Sequence, residues 1–239
     1  MANEIHIITP VKDSLQTTLR TIDSIQKSGA LENCIYTIYN DFSTEETTEA
    51  LTQKAKEIGF ELINLKDITD HPSPNYLLVL QLAQQKAISE EAHLILIESD
   101  VIVTSDTIQK LIDYSTVLPK AGMIAAVTTD EIGVINFPYL YAQKYKSDVI
   151  KTNKRLSFCC TLLTLDLLKA YDFEQLNPEK SWYDIFISHK SVELGFNNYL
   201  LTSLPVIHLP HSSRPWKLLK YSNPIKYYWR KLIDNKDKI

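Results

Sequence analysis

The first hundred residues alternate between short β-rich apolar runs and segments with apolar side chains at helical spacing. That alternation restricts the chain to few architectures. Residues 5–9 form a β-branched apolar run stopped by Pro10. Ser14, an N-cap residue type, precedes Leu15, Leu19, Ile22 and Ile25 at helical spacing, and Gly29 ends the segment. Residues 34–39 read as a second strand. Ser43-Thr44-Glu45-Glu46 then opens a second helix with a cap and early acids, and Gly59 stops it. A third strand is predicted over 60–65, a third helix over 76–88 and a fourth strand over 94–97. Near-continuous apolar strands separated by helices predict an α/β fold with a doubly wound, mostly parallel central sheet flanked by helices.

The second half is less regular. A helix is expected after Asp106, a short strand over 123–127, and an irregular stretch over 128–153 with Pro138 and several tyrosines. A strong strand follows over 156–165, then a short helix over 166–171 and a helix over 183–194 ended by Gly195. A last strand over 198–204 precedes Val206-Ile207-His208.

With 239 residues, 44% of them hydrophobic, the chain buries a core without covalent staples. The 3 cysteines, Cys34 and the adjacent Cys159 and Cys160, form neither a disulfide framework nor a zinc pattern. They read as buried thiols in a reducing compartment. No signal-peptide layout and no apolar run of membrane-spanning length is seen, so a cytoplasmic protein is expected.

Charge is unevenly spread. The chain carries net −4. Its last stretch, 214–239, holds 8 basic and 2 acidic residues. We therefore divide it into a domain over 1–213 and a basic, aromatic tail over 214–239. Trp216, Lys217, Lys220, Tyr221, Tyr228, Trp229 and Arg230 in the tail suit peripheral contact with the inner face of an anionic membrane, or equally a cap packed on the domain. No basic face recurs through the body, which argues against nucleic acid as a partner.

Candidate chemistry gathers at strand ends, where ligands bind in wound sheets. Glu98-Ser99-Asp100 directly follows the fourth strand. Two carboxylates one residue apart suit a hard divalent cation, Mg²⁺ or Mn²⁺, bridging protein and a pyrophosphate; the plainer reading is a solvated turn. Asp41, after the second strand, suits a nucleoside hydroxyl or base edge, or a turn-forming Asn-Asp pair. Asp184, in Ser181-Trp182-Tyr183-Asp184, is placed as a general base or as a first-turn acid. Trp182 and Tyr183 beside it offer aromatic faces for a sugar ring. His208 and His211, three apart across Pro210, are a weak metal cue.

Taken in order, four stretches resemble the family-2 glycosyltransferases of GT-A fold. They are Ile7-Ile-Thr-Pro-Val11, the run Tyr39-Asn-Asp-Phe-Ser-Thr-Glu-Glu-Thr47, Leu94-Ile-Leu-Ile-Glu-Ser-Asp-Val101, and Trp182-Tyr-Asp184 with Gly195 and Val206-Ile-His208 downstream. The resemblance implies an inverting transfer of sugar from a nucleotide-diphosphate sugar, UDP-sugar favoured, to a hydroxyl of a saccharide or lipid-linked saccharide. It implies that Thr9 and Pro10 line the nucleobase pocket, largely through backbone, and that Asp41 contacts base or ribose. Glu98 and Ser99 would lie on the donor. Asp100, with His208, would hold the cation, and Asp184 would act as base. The sequence departs from the family pattern at Glu98, one methylene longer than the usual acid, and at Tyr183, where an acid usually precedes the base. These departures keep open a catalytically degenerate binding or scaffold protein. A sugar nucleotidyltransferase ranks lower, because only 5 glycines are present and none follows the first strand.

Overall fold

The computed structural model describes residues 5–209; the tail 214–239 and His211 lie outside them. The elements in chain order are β1 (Ile5–Val11), α1 (Leu15–Lys27), β2 (Ile35–Asn40), α2 (Glu45–Ile58), β3 (Glu61–Asn64), α3 (Tyr76–Ser89), β4 (His93–Ile97) and β5 (Val101–Ile102). There follow α4 (Thr107–Val117), β6 (Ala121–Thr129), β7 (Val149–Thr152), β8 (Cys160–Leu163), α5 (Leu165–Ala170), α6 (Tyr183–Glu193) and β9 (Asn197–His208).

The strands form one sheet in the order β3-β2-β1-β4-β8-β6-β9-β5, with β7 also on β9. β1, β2, β3, β4, β6 and β9 share one direction, and β5, β7 and β8 oppose it. The sheet is thus mostly parallel, as the sequence predicts. The period-2 alternation of strand side chains sorts the core into two layers. On one face, Ile8, Leu94 and Leu96 pack with Val79 and Leu80 of α3, Leu167 of α5 and Ile187 of α6. On the other, Ile7, Ile95 and Ile97 pack with Ile22 of α1, Leu51 of α2 and Leu111 of α4. Helices therefore cover both faces. The connections diverge on either side of β1, toward β2 and toward β4, and in wound sheets ligands bind at the carboxyl ends of strands at such a point.

Local caps differ in detail from the sequence reading. Within the Ser43–Glu46 run it is Thr44 that caps α2, accepting from the Thr47 N–H, and Gly59 closes that helix at φ 90° as expected. Ser14 sits at φ 54° and makes no side-chain cap; Ser28, before Gly29, ends α1.

Three larger differences matter. The expected strand over 156–165 is ordered as β only at Cys160–Leu163. Ahead of it, the Leu156 N–H donates to Ser188 Oγ at 2.9 Å and the Ser157 N–H to Tyr139 Oη at 2.8 Å. Side chains take the place of a neighbouring strand there, and the backbone turns. The stretch over 128–153, expected to be irregular, contains the end of β6 and the whole of β7. And the two segments expected on either side of Pro205 are one strand, β9. It bends where its pairing with β6 skips from Ala126–Leu201 to Val127–Pro205. The bend carries its last residues onto β5, which the sequence reading missed, with Val101 opposite His208 and Ile102 opposite Ile207.

Two contacts give measurable consequences. Gly122 of β6 lies so close to α6 that a Cβ would sit 2.3 Å from Ser191 Oγ and 2.8 Å from Phe196 Cβ. Gly122→Ala is therefore expected to destabilise the fold by about 1–3 kcal/mol, seen as a lower thermal midpoint; an unchanged midpoint would contradict this packing. At the start of β4, His93 Nδ1 accepts the Leu165 N–H at 2.8 Å. Burial holds the His93 pKa below its ordinary value, against the opposing charge of Asp166. The unfolded chain therefore binds the proton more readily, and stability falls as pH drops below about 6.5. In urea melts, the stability advantage of wild type over His93→Gln is expected to narrow between about pH 7 and pH 5. A constant advantage would contradict it.

Candidate active site

Four backbone segments meet at the carboxyl ends of β1, β2 and β4. The first two are tied together by short-range polar contacts. Asp13, at φ 55°, accepts the Thr44 N–H at 2.8 Å and donates its own N–H to Ser43 Oγ at 2.9 Å. The Thr44 backbone bond, with Lys12 nearby, holds the Asp13 carboxyl below its ordinary pKa. Lys12 Nζ donates to the Phe42 carbonyl. Thr9 is fully buried and its hydroxyl accepts from Tyr36 Oη at 3.0 Å. Pro10 is half-buried at the rim.

Asp41 follows β2 and is 7% exposed. One of its oxygens accepts from Ser73 Oγ at 2.7 Å and from the Asn75 N–H at 2.9 Å; the other accepts from Asn75 Nδ2 at 2.8 Å. Asn75 Nδ2 also donates to the His71 carbonyl at 3.0 Å. Asp41 thus anchors the loop ahead of α3. Sequence reasoning missed this partner set, although the Ser-Pro-Asn run before the third helix carries the polar groups that such an anchor needs.

The third segment is Glu98-Ser99-Asp100. The Glu98 N–H donates to the Cys159 carbonyl at 3.0 Å, and the Leu209 N–H donates to the Asp100 carbonyl at 2.8 Å. Those two bonds set the acid pair between β8 and the end of β9. Asp100 is 0% exposed, and its carboxylate lies 3.3 Å from His208 Nε2. His208 Nδ1 bonds the Phe137 carbonyl at 3.0 Å, which turns Nε2 toward the acids. Burial by itself lowers the imidazole pKa, but the hydrogen bond and charge of Asp100, with the charge of Glu98, raise it to about 9. Ser99 is buried between the two acids.

Cys159 is the residue that sequence reasoning assigned to plain burial and the structure brings into the site. Its thiol lies 3.4 Å from Glu98 Oε2 and 3.3 Å from Ser157 Oγ. Ligand atoms of Glu98, Cys159 and His208 all fall within 4.8 Å of one another.

The fourth segment is the first turn of α6. Asp184 Oδ1 accepts the Ile185 N–H at 2.9 Å, and Oδ2 lies 3.5 Å from Arg155 Nε. Arg155, also missed from sequence, stands with its guanidinium 5.5 Å from the centre of the Phe137 ring. Tyr183 does not offer a free aromatic face. It is 7% exposed and stacks on Tyr76 with centroids 6.3 Å apart and planes 5° apart. Trp182 is half-buried at the helix N-cap.

Tyr76 links these groups. It follows Asn75, the partner of Asp41, and its buried hydroxyl has a pKa raised well above the ordinary value, first by burial and then by the charges of Glu98, Asp184, Cys159 and Asp100. The charges of Glu98, Asp100 and Asp184 all act on this one hydroxyl. With His208 and the anchored Asp41 loop, the region offers carboxylate and imidazole ligands for a hard or borderline divalent cation, and a separate carboxylate able to take a proton.

Comparison with known proteins adds the following. A family model described as glycosyl transferase family 2 matches residues 6–166. No curated protein matches the sequence. Among solved structures, GalNAc-T7 with UDP, GalNAc and Mn²⁺ aligns at TM-score 0.65 and 14% identity, covering 88% of this chain and 44% of that one. The mannosyltransferase PcManGT from Pyrobaculum calidifontis, in complex with GDP-Man and Mn²⁺, aligns at TM-score 0.65 and 12% identity, covering 100% and 66%. Residues 1–349 of S. aureus TarS align at TM-score 0.62 and 14% identity, covering 91% and 64%. The chain thus spans between about half and two thirds of these proteins, and at such identity the likeness is one of fold.

The Asp41 anchor is directly testable. Asp41→Ala leaves the Asn75 N–H and amide without their acceptor, and is expected to cost about 2–4 kcal/mol. Hydrogen exchange at Asn75 should accelerate more than at β1. Unchanged exchange in the 71–76 loop would show that something else holds it.

Proposed function

The chain belongs to glycosyl transferase family 2, and from that premise we propose that it transfers a sugar from a nucleotide-diphosphate sugar to a hydroxyl group, with inversion at the anomeric carbon. The observation that carries this reading is the fully buried Asp100, 3.3 Å from His208 and grouped with Glu98, in the same charged region as Asp184. A buried carboxylate beside a second carboxylate and an imidazole fits the ligand preferences of Mn²⁺ or Mg²⁺. Asp100 and His208 would hold the ion, with Glu98 beside it. Once bound, such an ion neutralises charge on a departing diphosphate.

The chain's own residues supply the rest. The 71–75 loop, anchored by Asp41, forms a wall at the carboxyl end of β2, where the nucleoside of a donor, UDP-sugar favoured, would lie beside the backbone of Thr9 and Pro10. Ser99, between the two acids, would line the diphosphate. Asp184, steadied by Arg155 and the Ile185 N–H, accepts the proton of the acceptor hydroxyl as its oxygen attacks the anomeric carbon. The new C–O bond forms as the bond from the anomeric carbon to the phosphate oxygen breaks, and nucleoside diphosphate leaves. The acceptor is a saccharide or lipid-linked saccharide. In the second case the tail would bring the domain to an anionic membrane from the cytoplasmic side. Among the described residues, no helix is long and apolar enough to cross a membrane.

Two variants examine the roles separately. Asp184→Asn is expected to keep nucleotide-sugar affinity while lowering turnover by roughly 10²–10⁴. Asp100→Ala is expected to abolish the part of donor affinity that depends on Mn²⁺, measured by calorimetry with and without the ion. Full turnover in the first variant, or unchanged metal-dependent affinity in the second, rejects the assigned role.

A further inference from the structure

The cysteine in the acid pocket is out of keeping with a site for Mg²⁺ or Mn²⁺. Those ions take oxygen ligands, whereas thiolate selects softer ions such as zinc. We propose that Cys159, with Glu98 and His208, forms a thiolate-containing site that takes a thiophilic divalent cation, Zn²⁺ or Co²⁺, in preference to Mn²⁺ or Mg²⁺. The inference rests on the reading above only for its consequence, that zinc competes for the position given to the catalytic ion.

The distances are those of ligands around one ion. A tetrahedral zinc with Zn–S about 2.3 Å and Zn–O about 2.1 Å has an S–O edge of about 3.6 Å. Cys159 Sγ and Glu98 Oε2 already stand 3.4 Å apart. The three ligand atoms of Glu98, Cys159 and His208 fall within 4.8 Å of one another, so closure onto an ion needs shifts of about 1 Å. The imidazole is aimed by its Nδ1 bond to the Phe137 carbonyl, and the thiol by the backbone bond from the Glu98 N–H to the Cys159 carbonyl. Neither requires refolding to bind. As the S–metal and N–metal bonds form, the S–H bond of Cys159 and the Nε2–H bond of the protonated His208 break, and both protons pass to solvent.

The other thiols do not share this setting. Cys160, the next residue along, is fully buried and pairs with Ile97 of β4 in the strand ladder. Cys34, half-buried just before β2, packs against an apolar layer.

The test uses Co²⁺ as a spectroscopic probe on the full chain. Cobalt bound through thiolate gives a near-ultraviolet sulfur-to-metal charge-transfer band, which oxygen and nitrogen ligands alone do not give. The band is expected in wild type and in Cys34→Ser, to vanish in Cys159→Ser, and to be bleached by Zn²⁺. Zinc affinity should fall roughly 10–100-fold in Cys159→Ser and in His208→Gln, so the histidine variant serves if the cysteine variant does not fold. Cobalt bound without the band, no cobalt bound, or a band that survives Cys159→Ser overturns the proposal. The two readings fail separately. A thiolate band in a protein that binds no nucleotide sugar removes the sugar-transfer reading alone, and Mn²⁺-dependent donor binding without a thiolate band removes this one alone.

Discussion

A carboxylate with no solvent exposure sets the terms for this end of the sheet. Asp100 sits in the turn between β4 and β5, and a buried charge is expensive unless compensated. His208 supplies the compensation from more than a hundred residues away. Strand β9 bends at its irregular pairing with β6, lays Ile207 and His208 against β5, and extends the contact with the bond from the Leu209 N–H to the Asp100 carbonyl. The two-residue strand β5 is too short to stabilise much by itself; its effect is to fix which residue of β9 stands opposite the acids. A slip of one residue there would turn the imidazole to the other face of the sheet.

The same charge balance explains the protonation pattern around it. Burial pushes the Cys159 thiol and the Tyr76 hydroxyl up, and Glu98 and Asp100 add to that shift; at His208 burial lowers the pKa and the same two acids raise it past that effect. Without an ion, the local negative charge is met by an imidazolium and by groups that keep their protons. A divalent cation at the proposed site would reverse the preference of each neighbour, because it favours neutral imidazole and, for a soft ion, thiolate, and its binding would release protons.

The central sheet was readable from sequence because its signal is local. Apolar runs of strand length, caps such as Thr44 and stops such as Gly59 report on their own neighbours. Glu98 and Asp100 were equally legible, as acids at a strand end. What escaped were features decided by distant partners. The 156–159 segment looks like the beginning of a strand, but Ser188 and Tyr139 claim its N–H groups. Pro205 reads as a strand break, yet it falls where the pairing register skips and the ladder can do without its missing N–H. Tyr183 looks exposed in the pattern of a helix start and is buried because Tyr76 stacks on it. Arg155 and Cys159 carry no local mark of their roles; only tertiary contact reveals them.

That stacking also accounts for how separate segments keep a common spacing. Phe158, Tyr76 and Tyr183 form a column, with Tyr76 6.4 Å from Phe158 and 6.3 Å from Tyr183. Each ring is the chain neighbour of a polar residue in the site: Cys159 after Phe158, Asn75 before Tyr76, and Asp184 after Tyr183. The 156–159 turn, the start of α3 and the start of α6 share no strand pairing that would hold them in register. The rings provide it, at roughly 0.5–1.5 kcal/mol per stacked pair beyond their burial. The spacing of the 156–159 turn, the start of α3 and the start of α6 therefore follows in part from apolar packing and not from the bonds among the charged groups alone.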